Sequence, residues 1–174
     1  MPLRYLTCSL VALLCCVSIS FSQSKEQVYA GVIFHIMKYV EWPAGGDATT
    51  MSVGVLNDNQ LTVALNKVAE GKKIVFRNIE VVKFSDLSKL KNTNVLFVPQ
   101  KMTGDLGDIA NSVDASEILV ISEKKKEGQD GASINFIEQS GKLRFEVYEE
   151  VFTRTDLKMS EQLKKFAIIK IKAS

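Results

Sequence analysis

From Val28 to Val40 the apolar positions recur with a helical period. At 100° per residue, Val28, Tyr29, Val32, Ile33, Ile36, Met37 and Val40 fall on one half of a helix. That half predicts a face packed on a core. The opposite strip carries Gln27, Gly31, His35 and Lys38, with Phe34 at its margin, and is left for solvent or a partner. Ser24 followed three residues later by Gln27 predicts a capping box at the start. Pro43 disfavours helical backbone in the residue before it, so Trp42 is expected at or just past the helix end. Burying this single tryptophan would remove roughly 200 Å² from water, a gross gain on the order of 5 kcal/mol, which makes Trp42 an anchor.

Downstream the period changes. A turn-rich loop over residues 44–50 leads to Met51–Leu56, a strand, after which Asn57 or Asp58 caps a helix through about Ala69 that stops at Gly71. Ile74–Phe76 and Ile79–Val82 read as extended segments interrupted near Arg77–Asn78, followed by a short capped helix from Ser85 to Leu90. Val95–Val98 and Ile118–Ile121 are short, wholly apolar runs that suit parallel strands covered on both faces. Between them, Leu106, Ile109, Ala110 and Val113 give Gly104–Val113 a weaker helical pattern. Ala132–Ile137 and Lys142–Tyr148, joined by the three-residue turn Gln139–Gly141, predict an antiparallel hairpin. Its second strand alternates, with Leu143, Phe145 and Val147 toward the core and Lys142, Arg144, Glu146 and Tyr148 on a wet face. After one or two helical turns over Glu149–Thr153, Ser160 caps a last helix with Leu163, Phe166, Ala167 and Ile169 on its buried side.

These elements sum to an α/β fold, a three-layer sandwich around a mixed, mostly parallel sheet with a C-terminal antiparallel hairpin. No repeat or linker divides the chain, which predicts a single domain over residues 23–174.

Residues 1–22 are a separate object. Arg4 precedes an apolar run from Tyr5 to Val17 and a small-residue end at Ser20–Ser22, the three parts of a secretory signal cleaved near Ser22. The polar Thr7, Ser9, Ser18 and Ser20 make the run poor as a membrane span, which needs about 20 apolar residues. Leu13 and Leu14 before Cys15 and Cys16 argue against a lipid-attachment signal. Cleavage would remove Cys8, Cys15 and Cys16, leaving a mature chain without thiols that relies on its apolar core. It would also remove Arg4, taking the formal net charge from +2 to +1 and leaving no long-range field that favours nucleic acid.

The catalytic inventory is thin. His35 is the only histidine, so with no mature cysteine the usual zinc and iron sites have no ligand set, and no metal or cofactor is expected. None of the glycine-rich nucleotide cradles or the hydrolase elbow occurs. Glu149 and Glu150 are adjacent acids that point to different sides, which does not suit paired-carboxylate catalysis. No catalytic residue is assigned. Loops after the carboxyl ends of parallel strands are where α/β sheets place ligands, and this makes Glu123, Lys124, Lys125 and Lys126 the candidate rim of a ligand loop.

Several segments together resemble the YfiR-like periplasmic proteins in order and spacing. They are Phe34 with Lys38–Pro43, Met51–Leu56, Asn94–Val98, Ile118–Ser122, Gly131–Ile137 before Gly141–Val147, and Ser160 at the last helix. The chain differs from the family's common pattern in having His35 and Tyr148 where asparagine is usual, and in having no mature cysteine for the family's disulfides. The resemblance implies an exported α/β domain that acts by binding. It would repress an inner-membrane diguanylate cyclase through the cyclase's periplasmic sensor domain, lowering cyclic di-GMP and biofilm formation, with an outer-membrane lipoprotein able to draw it away. A sensor histidine kinase is the alternative receptor, and a homodimer stays open. The expected partner surface is Phe34, His35, Lys38, Glu41 and Trp42. The competing reading, from another class, is a periplasmic small-molecule receptor that uses the loops after the parallel strands.

Overall fold

The computed structural model describes residues 23–43, 49–86, 90, 93–108, 118–123 and 131–170. The expected signal segment, most of the loop 44–50, most of the short helix within 85–90, the distal part of the 104–113 helix and Lys124 to Lys126 lie outside these residues.

The first helix, α1 (Lys25–Tyr39), begins at the expected capping box. The Ser24 hydroxyl accepts from the Gln27 amide at 3.3 Å, and the Ser24 amide donates to the Gln27 side chain at 3.2 Å. Ile33, Ile36 and Met37 of the predicted face are fully buried, but Val28, Tyr29 and Val32 are only half-buried and Ala30 beside that face is buried, so the core-facing side is rotated toward Ala30. Gln27, His35 and Lys38 are exposed. The helix ends at Tyr39, earlier than Pro43 alone requires. Val40 and Glu41 form a short strand, β1 (Val40–Glu41), that pairs antiparallel with β9 (Lys158–Met159). Trp42 folds back from beyond this strand, and its indole N–H donates to the Met37 carbonyl at 2.9 Å. It is half-buried and satisfies one of the orphan carbonyls at the helix end.

The main sheet has eight strands in the order β10-β8-β7-β6-β5-β2-β4-β3. These are β2 (Thr50–Leu56), β3 (Lys73–Ile74), β4 (Arg77–Phe84), β5 (Val95–Val98), β6 (Leu119–Ser122), β7 (Ile134–Gln139), β8 (Lys142–Tyr148) and β10 (Ile168–Lys170). All pairings are parallel except β3 with β4 and β7 with β8, as the mostly parallel prediction requires. Between β2 and β3 runs α2 (Asn59–Ala69), capped by the Asp58 carboxylate on the Leu61 amide at 3.0 Å. It is closed by Gly71 at φ +68, a left-handed position suited to glycine just past a helix end.

Both faces of the central strands are covered. Val53, Val55, Val95, Phe97, Leu119 and Ile121 pack under α1 and α2. Leu56, Leu96, Val98 and Val120 point the other way, against Phe84, Ala132 and Leu106, which follows a 3₁₀-helix over Gln100–Asp105. This burial on both sides explains the unbroken apolar runs of β5 and β6.

Four expectations need correction. The break between the extended segments falls at Val75–Phe76, because Ile74 pairs with Arg77 and makes those two residues the hairpin turn. No glycine, asparagine or proline marked that turn. The β7–β8 turn has two residues rather than three, since Gln139 pairs with Lys142 and both Ser140 (φ 53) and Gly141 (φ 69) are left-handed. The wet face of β8 is dry at its end, with Glu146 and Tyr148 only 5% and 3% exposed. The last helix, α4 (Glu161–Phe166), is shorter than expected. Leu163 is buried, but Phe166 is exposed, and Ile168–Lys170 leave the helix to pair parallel with β8. A single helical turn, α3 (Glu149–Phe152), fills the connection from β8 to β9.

Gly54 in the middle of β2 marks a close approach. A Cβ there would lie 2.8 Å from Phe84 Cε2 and 3.0 Å from Thr93 Cγ2. Gly54→Ala is expected to destabilise the fold by about 1–3 kcal/mol through overpacking, read as a lower urea midpoint, and Phe84→Leu in the same chain to recover part of the loss.

Candidate functional sites

The expected partner residues do not form one cluster. Phe34 is half-buried against the main core, and the Lys72 ammonium lies 4.9 Å from its ring centroid. The exposed His35 stacks on Tyr39, with centroids 6.3 Å apart and planes 16° from parallel. Lys38 points to solvent from the same strip. Glu41 is exposed on β1 opposite Lys158, and Trp42 is tied to the end of α1.

His35 and Tyr39 instead border an apolar groove of about 330 Å³. Val32 and Ile36 of α1, Phe145 of β8, and Leu163 and Phe166 of α4 complete its lining. Phe166 is 65% exposed at the rim. Sequence pattern alone placed Phe166 in the core. Helical spacing after Ser160 suggested it, but Phe166 is the last residue of α4 and its ring lies at the open edge of the groove.

A second concavity, about 670 Å³ and polar, lies at the carboxyl ends of β2, β5 and β6. The chain steps from β2 to β4 on one side and then returns to place β5 on the other, so the strand order reverses between β2 and β5. Asn57 to Gln60 follow β2, and Pro99 to Lys101 follow β5, at that switch point. Lys83 donates to the Asn59 side-chain oxygen and Lys101 to the Asn57 carbonyl, each at 2.7 Å, so both ammonium groups sit on neutral oxygens. Glu123, expected at the rim of a ligand loop, does line this cleft. It pairs with Lys25 and accepts from the Tyr29 hydroxyl at 3.2 Å. Burial first, then the charge of Glu123 and its hydrogen bond, push the Tyr29 hydroxyl well above the usual tyrosine range. Tyr29 therefore stays neutral and keeps its proton for Glu123. Lys25, Lys83 and Lys101 come from distant segments, and no local motif could have joined them.

The other surprise is a buried polar chain on the β6–β8 side of the sheet. Ser122 donates to the Asn135 side-chain oxygen at 3.0 Å, the Asn135 amide reaches Glu146 at 3.4 Å, and the Tyr148 hydroxyl donates to the same Glu146 oxygen at 2.8 Å. Hydrogen bonds of this kind are what make a buried carboxyl group tolerable.

Comparison with known families decides the relationship, because a YfiR/HmsC-like family model matches residues 26–168. The chain belongs to the YfiR/HmsC-like family. A search of curated proteins returns no match. The family match begins within the first turn of α1 and ends at the first residue of β10, so it takes in the groove, all of the polar cleft's lining except Lys25, and the buried Glu146 chain.

Tyr148→Phe removes a donor from the buried Glu146 carboxylate. Stability should fall by about 1–3 kcal/mol in urea unfolding, whereas a change of less than a few tenths would make that bond dispensable.

Proposed function

We propose that this YfiR/HmsC-like chain is an exported, non-catalytic regulatory protein that represses a membrane diguanylate cyclase by occupying the cyclase's periplasmic sensor domain. Repression would lower cyclic di-GMP and biofilm formation, and an outer-membrane lipoprotein would relieve it. The family match over residues 26–168 carries this reading, since the family is a periplasmic, regulatory one. The groove beside α1 supports it physically: an apolar trough with an exposed aromatic rim offers area to bury and an anchor for a partner. Repression requires that the protein bind the cyclase's inactive state more tightly than its active state, because equal affinity shifts nothing.

The test has two steps. The exported protein is first used to capture membrane proteins from the native cell envelope, with recovery of a cyclase or a sensor kinase expected. Binding of the recovered sensor domain is then measured for Lys38→Glu combined with Phe166→Glu. Both positions are exposed, so the melting temperature should hold while affinity falls at least about tenfold. Unchanged affinity would remove the groove from the interface.

The cleft at the switch point favours a second reading, a receptor for a small anionic ligand, because such crevices are where open α/β sheets bind ligands. A thermal-shift screen of anionic metabolites separates the two. A true ligand at about 100 times its dissociation constant adds about 2.7 kcal/mol of stability, and Lys83→Met with Lys101→Met should abolish the shift. A screen without shifts leaves the repressor reading alone.

A further inference from the structure

The two hairpins of the sheet use the same kind of turn with opposite chemistry. At β7–β8 the left-handed pair is Ser140–Gly141, small and polar residues suited to positive φ. At β3–β4 it is Val75–Phe76, with φ 49 and 67. A β-branched residue and a bulky aromatic are among the poorest choices for left-handed backbone, where asparagine and glycine are preferred. Neither side chain recovers the strain by packing, since Val75 is 58% exposed and Phe76 is 93% exposed. The turn projects from β3, the terminal strand of the sheet.

The residues flanking this apolar tip in the chain carry one sign of charge. Lys72 and Lys73 precede it and Arg77 follows it, and no acid lies between Glu70 and Glu80. Lys72 and Lys73 are exposed and Arg77 is partly so. An apolar wedge ringed by cations complements the boundary of an anionic bilayer, where acyl chains take the side chains and phosphates take the ammonium and guanidinium groups. No helix among the described residues is long and apolar enough to cross a membrane. We propose that the Val75–Phe76 hairpin tip is a membrane-docking element that inserts its two side chains into the interface of a bilayer containing anionic phospholipid. The docking holds the protein at the surface from which the periplasmic domain of a membrane receptor projects, and it does not depend on which receptor that is.

The test is co-sedimentation of the protein, purified from the exported fraction, with vesicles of phosphatidylcholine alone and of phosphatidylcholine with phosphatidylglycerol. Binding is expected to the second and to weaken as salt is raised. The double variant Val75→Asn with Phe76→Gly supplies the residues the turn prefers, so its melting temperature should rise while vesicle binding falls at least about tenfold. Lys72→Glu with Lys73→Glu should lose the preference for phosphatidylglycerol. Wild-type protein that ignores phosphatidylglycerol vesicles, or a tip variant that still binds them fully, overturns the proposal. Loss of a captured membrane protein by the tip variant, without any vesicle binding by the wild type, would overturn it in favour of a protein contact.

Discussion

Burial of β2, β5 and β6 on both faces is the constraint from which the other features follow. Val53, Val55, Val95 and Phe97 meet the helices, while Leu56, Leu96 and Val98 meet the opposite core, so the centre of the sheet has almost no room for polar chemistry. Surface open to a ligand or partner is left where strands end, where the sheet stops, or where a helix leaves a gap. The cleft beyond Leu56 and Val98, the turn beyond β3 and the groove between α1 and α4 are those three places. The Glu146 chain lies inside the fold, where Tyr148 and Asn135 surround the carboxyl with donors.

Elements whose local chemistry agreed with their tertiary role were legible in the sequence. Ser24 and Gln27 carry the pattern of a helix start, Asp58 and Gly71 bracket another helix, and the runs at 95–98 and 118–121 have the composition of strands covered twice. Elements whose chemistry conflicts with their backbone were not. Val75 and Phe76 carry strong strand propensity and occupy a turn, so pattern reading extended the strand through them and misplaced the break. Glu146 and Tyr148 are polar at alternating positions, which reads as solvent exposure, and only neighbouring strands reveal the partners that bury them.

The candidate sites divide in the same way. His35 and Lys38 were placed on an open strip by periodicity alone, and they are exposed there. Phe166 was missed because the end of α4 is set by the pairing of Ile168–Lys170 with β8, a contact across the chain that no local signal records. The rule about strand ends needs only the strand, and the residue it names, Glu123, lines the cleft. The lysines facing it needed the whole topology.

One helix borders both concavities. Lys25 and Tyr29 in the first turns of α1 hold Glu123 at the polar cleft, and Val32, His35, Ile36 and Tyr39 further along line the apolar groove. Ile33, Ile36 and Met37 lock the helix onto the sheet, and at the far end the pairing of β1 with β9 and the Ser160 amide on the Tyr39 carbonyl fasten it to the start of α4, while Trp42 closes its last turn. A packed helix fixed at both ends cannot flex locally. An occupant of the cleft that displaced Glu123 from Lys25 could alter the groove only by shifting α1 as a body, against the buried contacts of Ile33 and Met37. The short α4 puts one fully buried side chain, Leu163, into the core, whereas α1 puts in four. The side of the groove formed by Leu163 and Phe166 is therefore the one that can yield to a bound partner, with α1 serving as the fixed wall.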